Sequence, residues 1–247
     1  MMNDLTITTK ARDFIDELSE DYFSEDRRII NIDKVIREIL GFKLDIFFDF
    51  GPINPKKGEQ FFTSDILGNS EAVTLMDEKR IITKTSNAPR QRFTLCHEIA
   101  HIVLDHKKQS KNNEREADEF AAELMFPYFK FKNDIQNLSV CVETISELEK
   151  LYQASREATW INFAKKHSKS IAMAGLDNNF RVGYCFGSSS FPEKIINFIG
   201  TKINLPKVYF DGVLKHQIKI NHRIFNIEAI RCNAGTGSLV LIKSEEL

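Results

Sequence analysis

The pentad His97-Glu98-Ile99-Ala100-His101 limits what this chain can fold into more than any other stretch. On an α-helix, residues four apart lie on one face, so both imidazoles reach a common point only if the segment is helical. The pattern is H-E-x-x-H, and two neutral imidazoles suit a zinc ion. Glu98 falls about 100° round the helix from His97. That puts it beside the ligands, where a general base stands to take a proton from water activated by the ion.

The flanking residues support the helix. Projected at roughly 100° per residue, Thr94, His97, Glu98, His101 and Asp105 share an arc of about 100°. The rest of the circle is mostly Phe93, Leu95, Cys96, Ile99, Ala100, Ile102, Val103 and Leu104. The helix is therefore expected to be buried on most sides, with one polar stripe. The bland alternative is a core helix with two satisfied histidines.

A third histidine after a glycine is absent, since Leu104 and Lys107 occupy those places. The stretch from Asn113 to Pro127 reads as a second helix, stopped by the proline. The same projection puts Glu116, Glu119 and Glu123 together on a solvated face, and sets Glu114 and Asp118 on the edge of the apolar stripe. A carboxylate turned toward a core is costly unless it is paired or holds a metal. Glu114 is thus the candidate third ligand, with Asp105 or Glu116 as the residues to consider if it is not. Asp118, one turn on, is placed to accept a hydrogen bond from the far nitrogen of a ligand histidine. The competing explanation is a pair of acids favoured by the helix dipole at an N-terminus.

Arg92-Phe93-Thr94-Leu95-Cys96-His97-Glu98-Ile99-Ala100-His101, followed by Glu114-Arg115-Glu116-Ala117-Asp118 and the stretch from Phe120 to Pro127, resembles the ImmA/IrrE-type metallopeptidases. The resemblance runs from about Ile30 to Lys166. It implies an α+β fold with a gluzincin-like core, zinc held by His97, His101 and Glu114, and Glu98 as the catalytic acid/base. It also implies a selective intracellular protease whose protein substrate is a regulator such as a helix-turn-helix transcriptional repressor. In metalloproteases of this architecture an edge strand just before the zinc helix pairs with extended substrate. By resemblance Arg80 to Thr85 takes that role here, with Ile81, Ile82 and Thr83 at its centre; an ordinary hairpin strand is the plain alternative. A zinc-bearing regulator that binds protein or DNA without cleaving is the rival function. Intact Glu98 argues for the enzyme, because a structural zinc site has no use for a base.

Elsewhere the pattern is mixed. Thr9 to Phe23 suggests an acidic helix, and Asn31 a cap for a second, closed by Gly41. Leu44 to Phe50 alternates as a half-buried strand does, a loop follows from Gly51 to Gly58, and Ala72 to Met76 and Ile81 to Thr85 read as two strands. Thr144 to Tyr152 and Ser155 to Lys166 look like a helix-turn-helix. Glu157 follows Arg156, however, and Glu143, Glu147 and Glu149 precede it, so two core-packed helices are expected and direct nucleic-acid binding is not. From Ala174 the texture turns to β: a strand from Val182 to Phe186, a helix from Pro192 to Ile203, a hairpin of Ile218 to Ile220 with Ile224 to Ile230, and a last strand from Ser238 to Lys243.

These elements suggest a peptidase domain over residues 1–169, with N-terminal helices and a C-terminal helical hairpin, and a small α+β domain over 170–247 for substrate selection or sensing. At 247 residues the chain is long enough for both. A net charge of −1 offers no general pull toward nucleic acid or anionic membrane. No apolar run approaches the length of a membrane span, and no signal peptide is recognisable, so a cytoplasmic location is expected. Four widely spaced cysteines indicate neither a zinc ribbon nor a disulfide scaffold. Oligomeric state is left open by these features.

Overall fold

The computed structural model describes residues 2–47, 71–84, 87–108, 110–191, 198–205, 212–220, 223–231 and 237–244. The chain divides into two units, residues 1–130 with 152–154 and residues 131–151 with 155–247. Both mix helices and strands, so the α+β class holds.

In the first unit, α1 (Met2–Asp16) begins earlier than the expected Thr9 and ends earlier than Phe23, with a short 3-10 turn at Glu20–Tyr22 beyond it. Its Ile7, Ala11 and Ile15, spaced by four, are buried. Asn31 caps α2 (Ile32–Lys34), its side chain accepting from the Lys34 N–H. The helix runs on into a π-helical turn (Val35–Ile39), and Gly41 ends it at φ +69°, a conformation glycine takes without a Cβ penalty. The expected loop at 51–58 lies outside the described residues, as does the end of the first strand beyond Phe47.

Three strands form the first sheet: β1 (Lys43–Phe47), β2 (Ala72–Leu75) and β3 (Arg80–Lys84). Their order is β1-β3-β2, with β1 parallel and β2 antiparallel to β3. This corrects the substrate-strand reading. Ile81, Ile82 and Thr83 sit on the central strand, almost fully buried. Both edges of β3 are already hydrogen-bonded, so no peptide can add to it. Among the described residues the edge strands are β1 and β2.

α3 (Ala88–Val103) starts at Asn87, whose side chain accepts from the Arg90 N–H, with Pro89 in the first turn, where the missing N–H costs nothing. α4 (Lys111–Met125) starts at Ser110, which accepts from Asn113. The two helices pack on each other through Cys96, Ile99, Ala100, Ala117, Phe120 and Ala121, all fully buried. The small side chains among them allow close approach. α1 covers another side of α4, and there the sequence reading of Glu123 fails. It is buried, 3.7 Å from the Arg12 guanidinium, not solvated. Arg12 in turn lies over the Tyr128 ring, 3.7 Å from its centroid.

The second unit contains α6 (Val142–Leu151) and α7 (Arg156–Lys166), which follow α5 (Tyr128–Gln136), a helix not anticipated. Ser155 caps α7 by accepting from Ala158. A five-stranded antiparallel sheet follows: β4 (Ile171–Leu176), β5 (Val182–Gly187), β6 (Leu214–Ile220), β7 (Arg223–Arg231) and β8 (Ser238–Ser244), in the order β5-β4-β8-β7-β6. β4 opens at Ile171, ahead of the expected change at Ala174. Most of the helix expected from Pro192 to Ile203 lies outside the described residues.

The division at Lys130 differs from the boundary expected near Lys169, and the packing gives the reason. α7 lies on β4 and β5, and α6 on β7. Trp160, Phe163 and Ala164 are fully buried. Glu228, also buried, ties the helices to the sheet: it accepts from the Val142 N–H at 2.9 Å and from Lys243 Nζ at 2.7 Å. The helical pair thus serves the second sheet as its cover. On the sheet's other core, Phe191, Phe198 and Phe225 form an aromatic triad with centroids 5.7 to 6.0 Å apart. Among the described residues, no helix is long and apolar enough to cross a membrane.

Candidate metal centre

α3 presents His97, Glu98 and His101 on the wall of a cavity of about 710 Å³, faced by β2 and by the first turns of α4. His97 Nε2 lies 3.0 Å from His101 Nε2 and 3.2 Å from a Glu114 carboxylate oxygen, and His101 Nε2 is 3.7 Å from the other Glu114 oxygen. Among the described residues this is the one cluster of three potential ligands within mutual reach. Four ligands about 2.0–2.1 Å from a tetrahedral zinc are separated by about 3.3 Å, so the triangle has the size of one face of such a site.

The tautomers agree with that size. His97 Nδ1 is 2.9 Å from Asp118 Oδ1, and an ionised carboxylate can only accept, so the His97 proton sits on Nδ1. His97 Nε2 then carries a lone pair. His101 Nδ1 is likewise engaged, 2.9 Å from His106 Nδ1. Two Nε2 lone pairs across 3.0 Å, beside a carboxylate, repel unless a metal ion lies among them or His97 carries a second proton.

Electrostatics follows burial and neighbours. Burial pulls the His97 pKa down, but the Asp118, Glu98 and Glu114 carboxylates outweigh it and leave the value above the ordinary 6.5. His101 goes the other way, pushed down to about 4 by burial and by His97, against the opposing pull of Glu114. It is therefore neutral at physiological pH, the form in which imidazole binds a metal. Glu98 is only 7% exposed. Burial raises its pKa, and the Thr74 hydroxyl, which donates to Glu98 Oε2, pulls it partly back together with the Thr74 main-chain N–H.

His97, Glu98, His101, Glu114 and Asp118 thus come together. Asp105 and Glu116, the alternatives to Glu114, do not enter the ligand triangle. Asp105 has left the helix at φ +53°. Glu116 is turned to His106 Nε2, at 3.3 Å, and is not on a solvated face. Ile81, Ile82 and Thr83 do not line the cavity, whereas Ala72, Val73 and Thr74 of β2 do.

Two residues of this centre carry no signal at helical or metal-ligand spacing, Thr74 and His106, and Glu116 enters the sequence reading only as an alternative ligand, not as a partner of His106. Thr74 meets Glu98 across two elements. His106 follows His101 by five residues, a spacing that a continuing helix would place elsewhere. Only the Asp105-His106 pair hints at it, since aspartate tolerates the left-handed conformation that ends a helix.

The fold and this geometry agree with the outcome of comparison with known families. A peptidase family model described as the IrrE N-terminal-like domain matches residues 62–162, so this part of the chain is similar to the ImmA/IrrE-type peptidases. The family is of metallopeptidase type, and its match contains the whole ligand triangle, Glu98 and both flanking carboxylates. A comparison with curated proteins finds no match.

Proposed function

We propose that this chain is a zinc-dependent endopeptidase that cleaves a specific regulatory protein, such as a helix-turn-helix transcriptional repressor, in the cytoplasm. The observation that carries the reading is the triangle of His97, His101 and Glu114, sized for zinc and bordered by a buried, unligated glutamate. When bound there, zinc would polarise the scissile carbonyl and activate water near neutral pH. Glu98 takes the proton from the attacking water and passes it to the departing amine. Its raised pKa brings its proton affinity closer to working pH than that of an exposed carboxylate. The Thr74 hydroxyl fixes which way the carboxylate faces.

Substrate binding is assigned to β2, on a gluzincin-like plan. The Lys84 N–H donates to the Glu71 carbonyl at 2.8 Å, which makes Glu71 and Lys84 a hydrogen-bonded pair of the β2–β3 ladder. Antiparallel pairs alternate, so Val73 and Leu75 also direct their main-chain groups to β3. Ala72 and Thr74 direct theirs to the outer edge of β2, where, with the Thr74 N–H taken by Glu98, the Ala72 groups and the Thr74 carbonyl are left for an extended peptide to add as a further strand. The C-terminal unit is assigned to substrate selection or sensing.

A zinc-bearing regulator that binds without cleaving is disfavoured by Glu98, which such a protein would not need. The test is incubation with a repressor encoded beside the gene, with and without a chelator, using wild type and Glu98→Gln. Cleavage that disappears with either treatment supports the enzyme. Stable binding with no cleavage would replace it with the regulator.

A further inference from the structure

We propose that His106 and Glu116 are positioning residues that lock the ring orientation and proton position of His101, the second metal ligand, through a hydrogen-bonded chain. The inference rests on the metal-centre reading and deepens it.

The chain has four members. His101 Nδ1 is 2.9 Å from His106 Nδ1, His106 Nε2 is 3.3 Å from Glu116 Oε2, and Asn112 Nδ2 donates to Glu116 Oε1 at 2.6 Å. The His106 side chain is 7% exposed and that of Glu116 17%, so little water competes for these bonds. The proton positions follow in sequence. Glu116 can only accept, so the His106 proton is on Nε2 and its Nδ1 carries a lone pair. That lone pair can only accept, so the His101 proton is on Nδ1. His101 Nε2 is then left with the lone pair that faces His97 and Glu114. A carboxylate two residues removed from the ligand glutamate thus sets which nitrogen of His101 is free.

The backbone explains how His106 reaches this place. α3 ends in a double hydrogen bond: the His106 N–H bonds the His101 carbonyl at 3.0 Å, and the Asp105 N–H bonds that of Ile102 at 3.2 Å. This is the Schellman arrangement, with Asp105 at φ +53° in the position that glycine usually fills. In that motif the side chain after the left-handed residue folds back over the residue three places before the cap. The contact is customarily apolar. Here it joins two imidazoles, and the residue covered is a metal ligand. His97, by contrast, meets its own carboxylate, Asp118, with no intermediary.

The test compares His106→Leu, His106→Asn and Glu116→Gln in the full chain. Leucine keeps an apolar filler at a buried place and removes the acceptor; asparagine puts Oδ1 near the position of Nδ1 and keeps it. Zinc affinity is measured by competition with a chromophoric chelator, the coordination geometry by the visible spectrum of the cobalt-substituted protein, and folding by thermal unfolding of the metal-free protein. His106→Leu is expected to bind zinc about ten- to a hundredfold more weakly, the range for outer partners of ligand histidines. Its cobalt bands should be altered while metal-free unfolding changes little. His106→Asn should restore both affinity and spectrum to near wild type. Glu116→Gln, which tests the chain without touching a buried ring, should weaken zinc about tenfold. His106→Leu and Glu116→Gln both at wild-type affinity and spectrum would overturn the proposal even if the wild type cleaves its substrate. A wild type that binds zinc without cleaving, with His106→Leu weakened, would remove the peptidase reading and support this one. A wild type that binds no zinc would overturn both.

Discussion

Thr74, on the edge strand β2 of the first sheet, donates its hydroxyl hydrogen to Glu98, the buried carboxylate beside the two ligand histidines. A hydrogen bond to a charged group contributes about 1.5–3 kcal/mol, and about 1.4 kcal/mol is a factor of ten in rate. Thr74→Val, which keeps the shape and loses the donor, should therefore lower kcat/KM for cleavage by about tenfold or more with zinc content unchanged. Thr74→Ser should retain most of the activity. Steady-state kinetics with metal analysis on both variants decides the point, and equal rates for valine and threonine would contradict it.

Glu98→Gln tests the base itself. Glutamine preserves the volume and can still hydrogen-bond Thr74, but it cannot take up the proton. The variant should fold and bind zinc as wild type does, while cleavage falls by a factor on the order of 10² or more. Processing at the wild-type rate would mean that another group carries the proton.

Elemental analysis of purified variants checks the ligand set. His97→Ala, His101→Ala and Glu114→Ala should each reduce bound zinc from one per chain to a small fraction. Asp118→Asn should weaken binding about ten- to a hundredfold, since the 2.9 Å contact to His97 Nδ1 orients the ligand without belonging to it. Full zinc occupancy in Glu114→Ala would assign the third ligand elsewhere.

The two ligand histidines titrate apart, and this gives zinc binding a defined pH dependence. Metal binds neutral imidazole, so a proton on either ring competes with it. The carboxylates around His97 hold its pKa above 6.5 despite burial, whereas His101 is down at about 4. As pH falls through the His97 value, apparent zinc affinity should drop about tenfold per pH unit, the signature of one displaced proton. A second proton should enter only near pH 4. Asp118→Asn removes part of the pull on His97 and should move the onset to lower pH. Chelator competition from pH 5 to 8 measures this, and a two-proton slope across that range would contradict it.

Asp105 supplies a conformational test. At φ +53° an L-residue is disfavoured by roughly 1–2 kcal/mol, less for aspartate and more for a β-branched side chain. Asp105→Gly should be tolerated, with melting temperature and zinc affinity close to wild type, because relief of strain offsets the greater freedom of the unfolded chain. Asp105→Val should destabilise the fold by about 1–2 kcal/mol and loosen zinc through the displaced His106. Thermal unfolding with and without zinc reads both effects.

What the sequence determined by itself is what short-range geometry dictates. Residues four apart share a helical face whatever surrounds them, so His97 and His101 were bound to converge once Phe93 to Leu104 made a helix. Glu114 and Asp118 repeat that spacing on the next helix. Asn31 and Ser155 cap their helices with hydrogen bonds that reach only three residues. Tertiary structure decided whatever depends on which element covers which. The order β1-β3-β2 is a long-range choice, and it placed Ile81 to Thr83 in the middle of the sheet and Thr74 on an edge strand. Glu123 and Glu116 lie on what looks in projection like a solvated face. They are removed from it because α1 brings Arg12 to one, and the left-handed turn at Asp105 brings His106 to the other. Periodicity reports how side chains are arranged around a single helix. It carries no information on which neighbours arrive, and those neighbours determine which polar residues are buried and paired.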